Sequence, residues 1–263
     1  MIKIMCWMLL IAIASSSFGQ TPDTVFLEEL TWTEVRAAID SGTTTIIVPT
    51  AGTEQNGPHM ALGKHKYRIN AASERIAREI GHTLVAPVMT YVPEGSIDPP
   101  SEHMQHAGTI SIPQDVFRSV LEYTARSLKS HGFTDILFIG DSGPNQQGMS
   151  QVAEELNEEW RNERARVLFI SEWFSNKLFF NWLKSQGESE ETIGVHAGLL
   201  DTALLLAVAP QHVRVGIMAP GRGKDIDGVA GDPTRATAEL GKIGYDMNFN
   251  AAIKQIRELM AKQ

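Results

Sequence analysis

Thiols are all but missing from this chain. Its one cysteine, Cys6, sits near the amino end, so residues 20–263 hold none. That excludes disulfides, thiolate catalysis and cysteine-ligated zinc from the bulk of the protein. Basic residues are outnumbered: 23 Lys and Arg stand against 31 Asp and Glu, a formal net charge of -8. A nucleic-acid binder shows a basic face, so no nucleic-acid partner is expected. Beyond the amino end no apolar run reaches the roughly 20 residues of a membrane span. H-E-x-x-H, Walker A and G-x-S-x-G are absent, as are internal repeats and low-complexity tracts. What remains is an ordinary globular composition, 43% hydrophobic and 21% charged over 263 residues. Such a length buries a sizeable core without disulfide or metal staples, in one large α/β domain or two small ones.

The amino end reads as a targeting segment. Met1-Ile2-Lys3 is a short basic start, Ile4 to Ala14 is almost unbroken apolar sequence, and Ser17-Phe18-Gly19 offers small residues for cleavage before Gln20. The expectation is a signal peptide over residues 1–19 and a single secreted or periplasmic domain over 20–263, with no membrane partner after cleavage. An uncleaved anchor helix is the alternative. Too little apolar sequence precedes Cys6 for a lipoprotein attachment site.

Short apolar strands then alternate with longer amphipathic segments. Thr31-Trp32-Thr33-Glu34 is a Thr-x-x-Glu capping box, with Leu30 and Val35 placed as a hydrophobic staple. It predicts a helix from Trp32 to Ser41, stopped by Gly42. Ile69, Ala72, Ile76 and Ile80 recur at a helical period before Gly81. Further helices are expected over Val116–Ser130, Met149–Glu163, Thr202–Val208 and Phe249–Met260. Strands are expected at Thr45–Val48, Leu84–Val88, Ile136–Ile139 and Val167–Ser171. The Gly-rich stretch Ala219–Asp246 reads as a loop or interface arm. Alternation at this spacing implies a mostly parallel sheet covered on both faces.

Polar residues gather just past the strand ends, where ligands bind in open α/β folds. Glu54, Asn56, His59 and His65 follow the first strand. Asp141, Ser142 and Asn145 follow the third, and His196 to Asp201 precedes a helix. A long loop, Pro93–Thr109, carries Ser101-Glu102-His103-Met104-Gln105-His106. Carboxylates and imidazoles drawn from several loops suit a divalent-metal hydrolase, whose open coordination position lowers the pKa of bound water. Structural duties compete for each residue. Glu54 could hold its loop through backbone N–H groups, and His59 and His65 could face solvent. Asp141 and Asn145 could make Asx turns, and Asp201 could cap the following helix. His82, His131 and His212 read as helix-end or surface residues.

Together these loops resemble the creatininase (creatinine amidohydrolase) family across nearly all of residues 20–263. Leu30-Thr31-Trp32-Thr33-Glu34 is the first likeness. Pro49-Thr50-Ala51-Gly52-Thr53-Glu54-Gln55-Asn56-Gly57-Pro58-His59, closed by His65, is similar to the family's P-x-G-x-x-E-Q-H-G-x-H and later aspartate, with one extra residue before the glycine. His103 followed by Gly108-Thr109-Ile110-Ser111 looks like H-x-x-x-x-G-T-hydrophobic-S. Gly140–Asn145 sits where the family has N-G-H-G-G-N, and His196-Ala197-Gly198-Leu199-Leu200-Asp201-Thr202 looks like H-A-G-x-x-E-T.

The resemblance implies a three-layer α/β/α sandwich, often a homo-oligomer (a hexamer), that hydrolyses C–N bonds of small cyclic amides or related substrates. It implies a pair of divalent metals, typically zinc or manganese, and a histidine that moves the proton to the leaving nitrogen. The departures fall on ligand positions: Asn56 replaces a histidine, His65 stands at the bridging aspartate, Ser142 replaces another histidine, and Asp201 is a shorter stand-in for a glutamate. Two readings follow. One is a rearranged site with a single metal on Glu54 and His65, completed by Asp141 or Asp201. The other is an exported binding protein without metal that keeps the fold and pocket. His196 is the first choice for proton transfer and His103 the second, an imidazole pKa of about 6.5 suiting that work. Asn56, His59, Ser142, Asn145 and Trp173 are the candidates for contact with a small-molecule substrate, Trp173 having a core role as its alternative.

Overall fold

The computed structural model describes residues 22–262, so the expected signal peptide lies outside the described residues. Four strands form one parallel sheet: β1 (Thr45–Thr50), β2 (Thr83–Val85), β3 (Asp135–Gly140) and β4 (Arg166–Ile170), in the order β2-β1-β3-β4. Every residue of β1 is buried, as expected of a parallel strand covered on both faces. Side chains alternate between two cores at the strand period of two. Ile46, Val48, Ile136, Phe138 and Val167 point to one, and Ile47, Leu137, Ile139, Leu168 and Ile170 to the other.

Helices α1 (Trp32–Asp40), α3 (Gln114–His131) and α4 (Asn145–Glu159) cover the first face. The second is covered by α2 (Lys64–Ile80), α6 (Lys177–Ser185), α8 (Leu199–Val208) and α9 (Ala238–Met260). Two one-turn helices, α5 (Glu172–Ser175) and α7 (Glu190–Ile193), link β4 to α8. The result is a three-layer α/β/α sandwich.

Local chemistry explains the element ends. The capping box at α1 is closed in both directions, with Glu34 Oε2 accepting from the Thr31 N–H at 2.7 Å. Gly132 ends α3 in the left-handed region at φ 112°. Pro49 lies inside an internal strand, where a missing N–H is usually costly. Its carbonyl accepts from Met89 N at 2.9 Å, on the side where β2 has already ended at Val85. No ladder bond is lost there.

The structure corrects several boundaries. α2 begins at Lys64, so His65 lies in the first turn of a helix rather than in the loop. α4 begins at Asn145 and α8 at Leu199. Residues 238–246, expected to be irregular, belong to α9, capped by Thr237 accepting from Leu240 N at 3.2 Å. The glycines that suggested a loop serve close packing instead. A Cβ on Gly241 would lie 1.8 Å from the Ala203 carbonyl oxygen of α8.

The chain leaves β1 toward β2 on one side and later returns to β3 on the other. The ends of β1 and β3 therefore flank the topological switch point, the usual place for a ligand in an open parallel sheet.

Candidate active site at the carboxyl ends of β1 and β3

Glu54 leaves the end of β1 and is buried, as are Asp141 just past β3, His103 in the long loop and His196 before α8. His103 sits in a short 3-10 turn, Glu102–Gln105. His196 is pinned by backbone pairing with Ala230, whose N–H donates to the His196 carbonyl at 2.8 Å. Asp201 lies in the first turn of α8 and accepts from the Ala197 N–H at 3.0 Å. The first turn of α2 adds Lys64, His65 and Arg68, all buried. These groups border a cavity of about 670 Å³.

Two sub-clusters meet at Glu54. In the first, Glu54 Oε1 lies 2.8 Å from His65 Nε2 and 3.5 Å from Lys64 Nζ. His65 Nδ1 lies 2.8 Å from Asp141 Oδ2, and Trp173 Nε1 donates to Asp141 Oδ1 at 2.8 Å. Lys64 Nζ and Arg68 Nη1 reach opposite oxygens of Asp201 at 3.1 and 2.8 Å. Burial alone would strip the proton from His65, and Lys64 opposes it too, yet Glu54 and Asp141 raise its pKa above the ordinary value. With each ring nitrogen 2.8 Å from a carboxylate oxygen, both are engaged within this network. Burial would likewise raise Asp201, but Lys64 and Arg68 hold its carboxyl far below the usual range. Glu54 is also held well below its usual value, since His65 and Lys64 outweigh its burial.

In the second sub-cluster, Glu54, His103 and His196 bring one donor atom each to within 4.8 Å of one another. His103 Nε2 lies 3.3 Å from Glu54 Oε2, and His196 Nδ1 lies 3.8 Å from Glu54 Oε1. Burial, above all, lowers the pKa of His103 to about 4 and that of His196 to about 3, so both imidazoles are neutral near pH 7. Gln55 sets their tautomers. His196 Nε2 lies 3.0 Å from the Gln55 backbone carbonyl oxygen and 3.2 Å from the Gln55 amide nitrogen; the carbonyl only accepts, so the proton is assigned to Nε2 and the Nδ1 lone pair to the Glu54 side. The Gln55 amide nitrogen faces His103 Nδ1 at 3.2 Å, so the His103 proton sits on Nε2. To serve as a ligand through Nε2, His103 would carry its proton on Nδ1, with the Gln55 amide turned and its Oε1 released from the Gly57 N–H it accepts at 3.0 Å. Two neutral imidazoles and one carboxylate are a zinc-type donor set. The residues fit one divalent cation.

The donors that converge thus differ from the set that spacing suggested. Glu54 is common to both, whereas Asp141 and Asp201 are engaged with Lys64 and Arg68, and His65 with the carboxylates of Glu54 and Asp141. Of the substrate-contact candidates, Ser142 borders the cavity. Asn56 Nδ2 instead staples its loop through the carbonyls of Glu54 and Ala61 at 2.9 and 3.3 Å. His59 Nε2 pairs with Thr202 Oγ1 at 3.0 Å, and Asn145 Nδ2 donates to the Ala51 carbonyl at 2.6 Å. Trp173 packs edge-on against Tyr245 at 5.3 Å between centroids while holding Asp141. These four side chains stand behind the cavity wall and fix the frame.

Sequence reasoning missed Lys64, Arg68 and Glu94. Lys64 and Arg68 look like surface residues of an amphipathic helix, and Glu94 sits in the long loop without a motif. Burial, first, and the charge of Glu54 raise the Glu94 pKa to about 10, so its carboxyl is neutral near pH 7. Ser142 Oγ donates to Glu94 Oε1 at 3.0 Å. Gly52 makes room for it: a Cβ there would lie 2.0 Å from Glu94 Oε1.

A family profile described as creatinine amidohydrolase matches residues 28–256, most of the chain. The chain belongs to the creatininase family. Within that family, the creatinine amidohydrolase of Pseudomonas putida is 26% identical over 228 residues, covering 81% of this chain and 84% of that protein. The mycofactocin precursor peptide peptidase of Mycobacterium ulcerans (strain Agy99) is 24% identical over 235 residues, covering 80% and 83%. Both are named for hydrolysis, and the family is one of hydrolases. A crystal structure of creatininase superposes with a TM-score of 0.75 at 20% identity over 90% of this chain and 98% of that one. A manganese form covers 89% and 98% at 21% identity and a TM-score of 0.74. A zinc–zinc form of a creatininase mutant covers 90% and 98% at 21% identity and a TM-score of 0.72. These likenesses establish the creatininase fold.

Proposed function

We propose that this chain hydrolyses a C–N bond of a small cyclic amide or related substrate, using one divalent cation, zinc or manganese, held by Glu54, His103 and His196. The observation that carries this is the convergence of those three buried donors beside the cavity at the switch point. A cation there would polarise the scissile carbonyl and acidify a water. Gln55 orients both rings from behind, the role that outer-sphere partners play for ligating imidazoles. The contact of Glu54 Oε1 with His65 Nε2 leaves Oε2 facing His103 at 3.3 Å. A lone pair given to a cation cannot also carry a proton, so the proton for the leaving nitrogen comes from another group bordering the cavity.

The basic start and apolar run of residues 1–19 support export to a secreted or periplasmic location. The family resemblance supports a homo-oligomer, a hexamer. A second reading, a non-catalytic binding protein, is favoured by one observation: Glu54, Asp141 and Asp201 are already balanced by Lys64, His65 and Arg68.

Metal analysis and a hydrolysis screen separate the two. Protein purified without chelator should carry about one equivalent of zinc or manganese, and H103A and H196A should each lose it. Metal-free protein whose melting temperature ignores added zinc and manganese, and which hydrolyses no cyclic amide, belongs to the second reading.

A further inference from the structure

Two buried cations, Lys64 and Arg68, lie in the first two turns of α2, near the end where the helix dipole disfavours positive charge. Gly63, the residue before the helix, supplies no side-chain cap, and the first turn holds no acidic residue. A lysine at such a place ordinarily extends into water, yet Lys64 and Arg68 are 1% and 2% exposed. Something must offset both the dipole and the lost hydration, and the carboxylates do. Lys64 Nζ lies between Glu54 Oε1 at 3.5 Å and Asp201 Oδ2 at 3.1 Å, and Arg68 ties Asp201 to Asp141. Glu54 and Asp201 come from opposite ends of the motif set, one after β1 and one in α8. Two carboxylates converging from separate loops on a single positive charge is the arrangement that otherwise holds a divalent cation.

We infer that the Lys64 ammonium, supported by Arg68, takes the place of a second metal ion between Glu54 and Asp201. The inference rests on the one-cation reading above, because Glu54 serves both positions with its two oxygens. It accounts for His65 as well. Its ring nitrogens lie 2.8 Å from Glu54 Oε1 and 2.8 Å from Asp141 Oδ2, which sets the ring between two carboxylates that would otherwise face one another. An ammonium carries three donors; Asp201 accepts one at 3.1 Å, and Glu54 faces the group as an ion pair at 3.5 Å. Lys64 borders the cavity, so its ammonium keeps hydrogen-bonding capacity for an oxygen of a ligand there.

Zinc titration of the full mature chain after chelation, followed by calorimetry and by native mass spectrometry, tests this. Wild type should bind one equivalent. K64M removes the ammonium and keeps the volume, so it should bind a second equivalent that disappears in K64M/D201N. Its melting temperature in chelator should fall below that of wild type and recover with zinc. D201N alone should still bind one equivalent, since Asp201 is no ligand in wild type. Two equivalents on wild type, a folded K64M that gains none, or loss of the single ion in D201N each overturns the inference. Failure of the one-cation reading looks different: wild type binds none, while K64M gains an ion that depends on Asp201, and the role of Lys64 stands.

Discussion

Glu94 and Asp141 show how much a single buried group decides here. Glu94 keeps its proton up to about pH 10 in the fold, against an ordinary value of 4.5. The folded state then binds more protons than the unfolded one between those values, and stability falls as pH rises across that window. Glutamine has nearly the same shape without the charge. E94Q should match wild type near pH 4 and melt higher at pH 8, by about 2–4 °C for each kcal/mol recovered. An equal or lower melting temperature at pH 8 contradicts the assignment. Asp141 matters through its contacts, as the partner of His65, Trp173 and Arg68. Removing one member of a buried ion network costs about 3–5 kcal/mol, so D141N should show a loss of that size in urea denaturation.

Helices α8 and α9 show propensity yielding to packing. Gly241 weakens α9 as a helix, and alanine there would gain about 1 kcal/mol in propensity. Its Cβ, however, would lie 1.8 Å from the Ala203 carbonyl oxygen, a backbone atom that cannot swing aside. Overpacking of this kind costs about 1–3 kcal/mol or more, so G241A should destabilise the protein in equilibrium unfolding despite its better propensity. A stabilised G241A would mean that the two helices stand further apart. The same competition explains the reading of Ala219–Asp246 as irregular. Glycine frequency signalled a loop, whereas the helix pair uses glycine to bring backbones together. At α1 local and tertiary signals agree, and its capping box was legible residue by residue.

For the whole molecule, the alternation of buried strands and amphipathic helices placed the sheet, its two covered faces and the loops that carry chemistry. Export and assembly are tested on the full chain. Expressed with residues 1–19 intact in a bacterium, the protein should be recovered from the periplasm or medium with an intact mass beginning at Gln20. Light scattering on that material should give a multiple of the chain mass, six-fold for a hexamer. A cytoplasmic product of full length sinks the export proposal, and a monomer sinks the assembly proposal.

By itself the sequence determined the layer order, the parallel sheet, the family and the four loops of interest. Those properties follow from periodicity, caps and short motifs, all of which are local along the chain. It did not determine which polar residues meet. Glu54, His103 and His196 are brought together from three distant loops, and Lys64 and Arg68 face inward because α2 begins one turn earlier than its apolar period shows. Burial then set the protonation, leaving two histidines neutral and Glu94 protonated near pH 7. Protonation depends on desolvation and on neighbours remote in sequence, so only the tertiary structure could gather the three candidate donors and place Lys64 between Glu54 and Asp201.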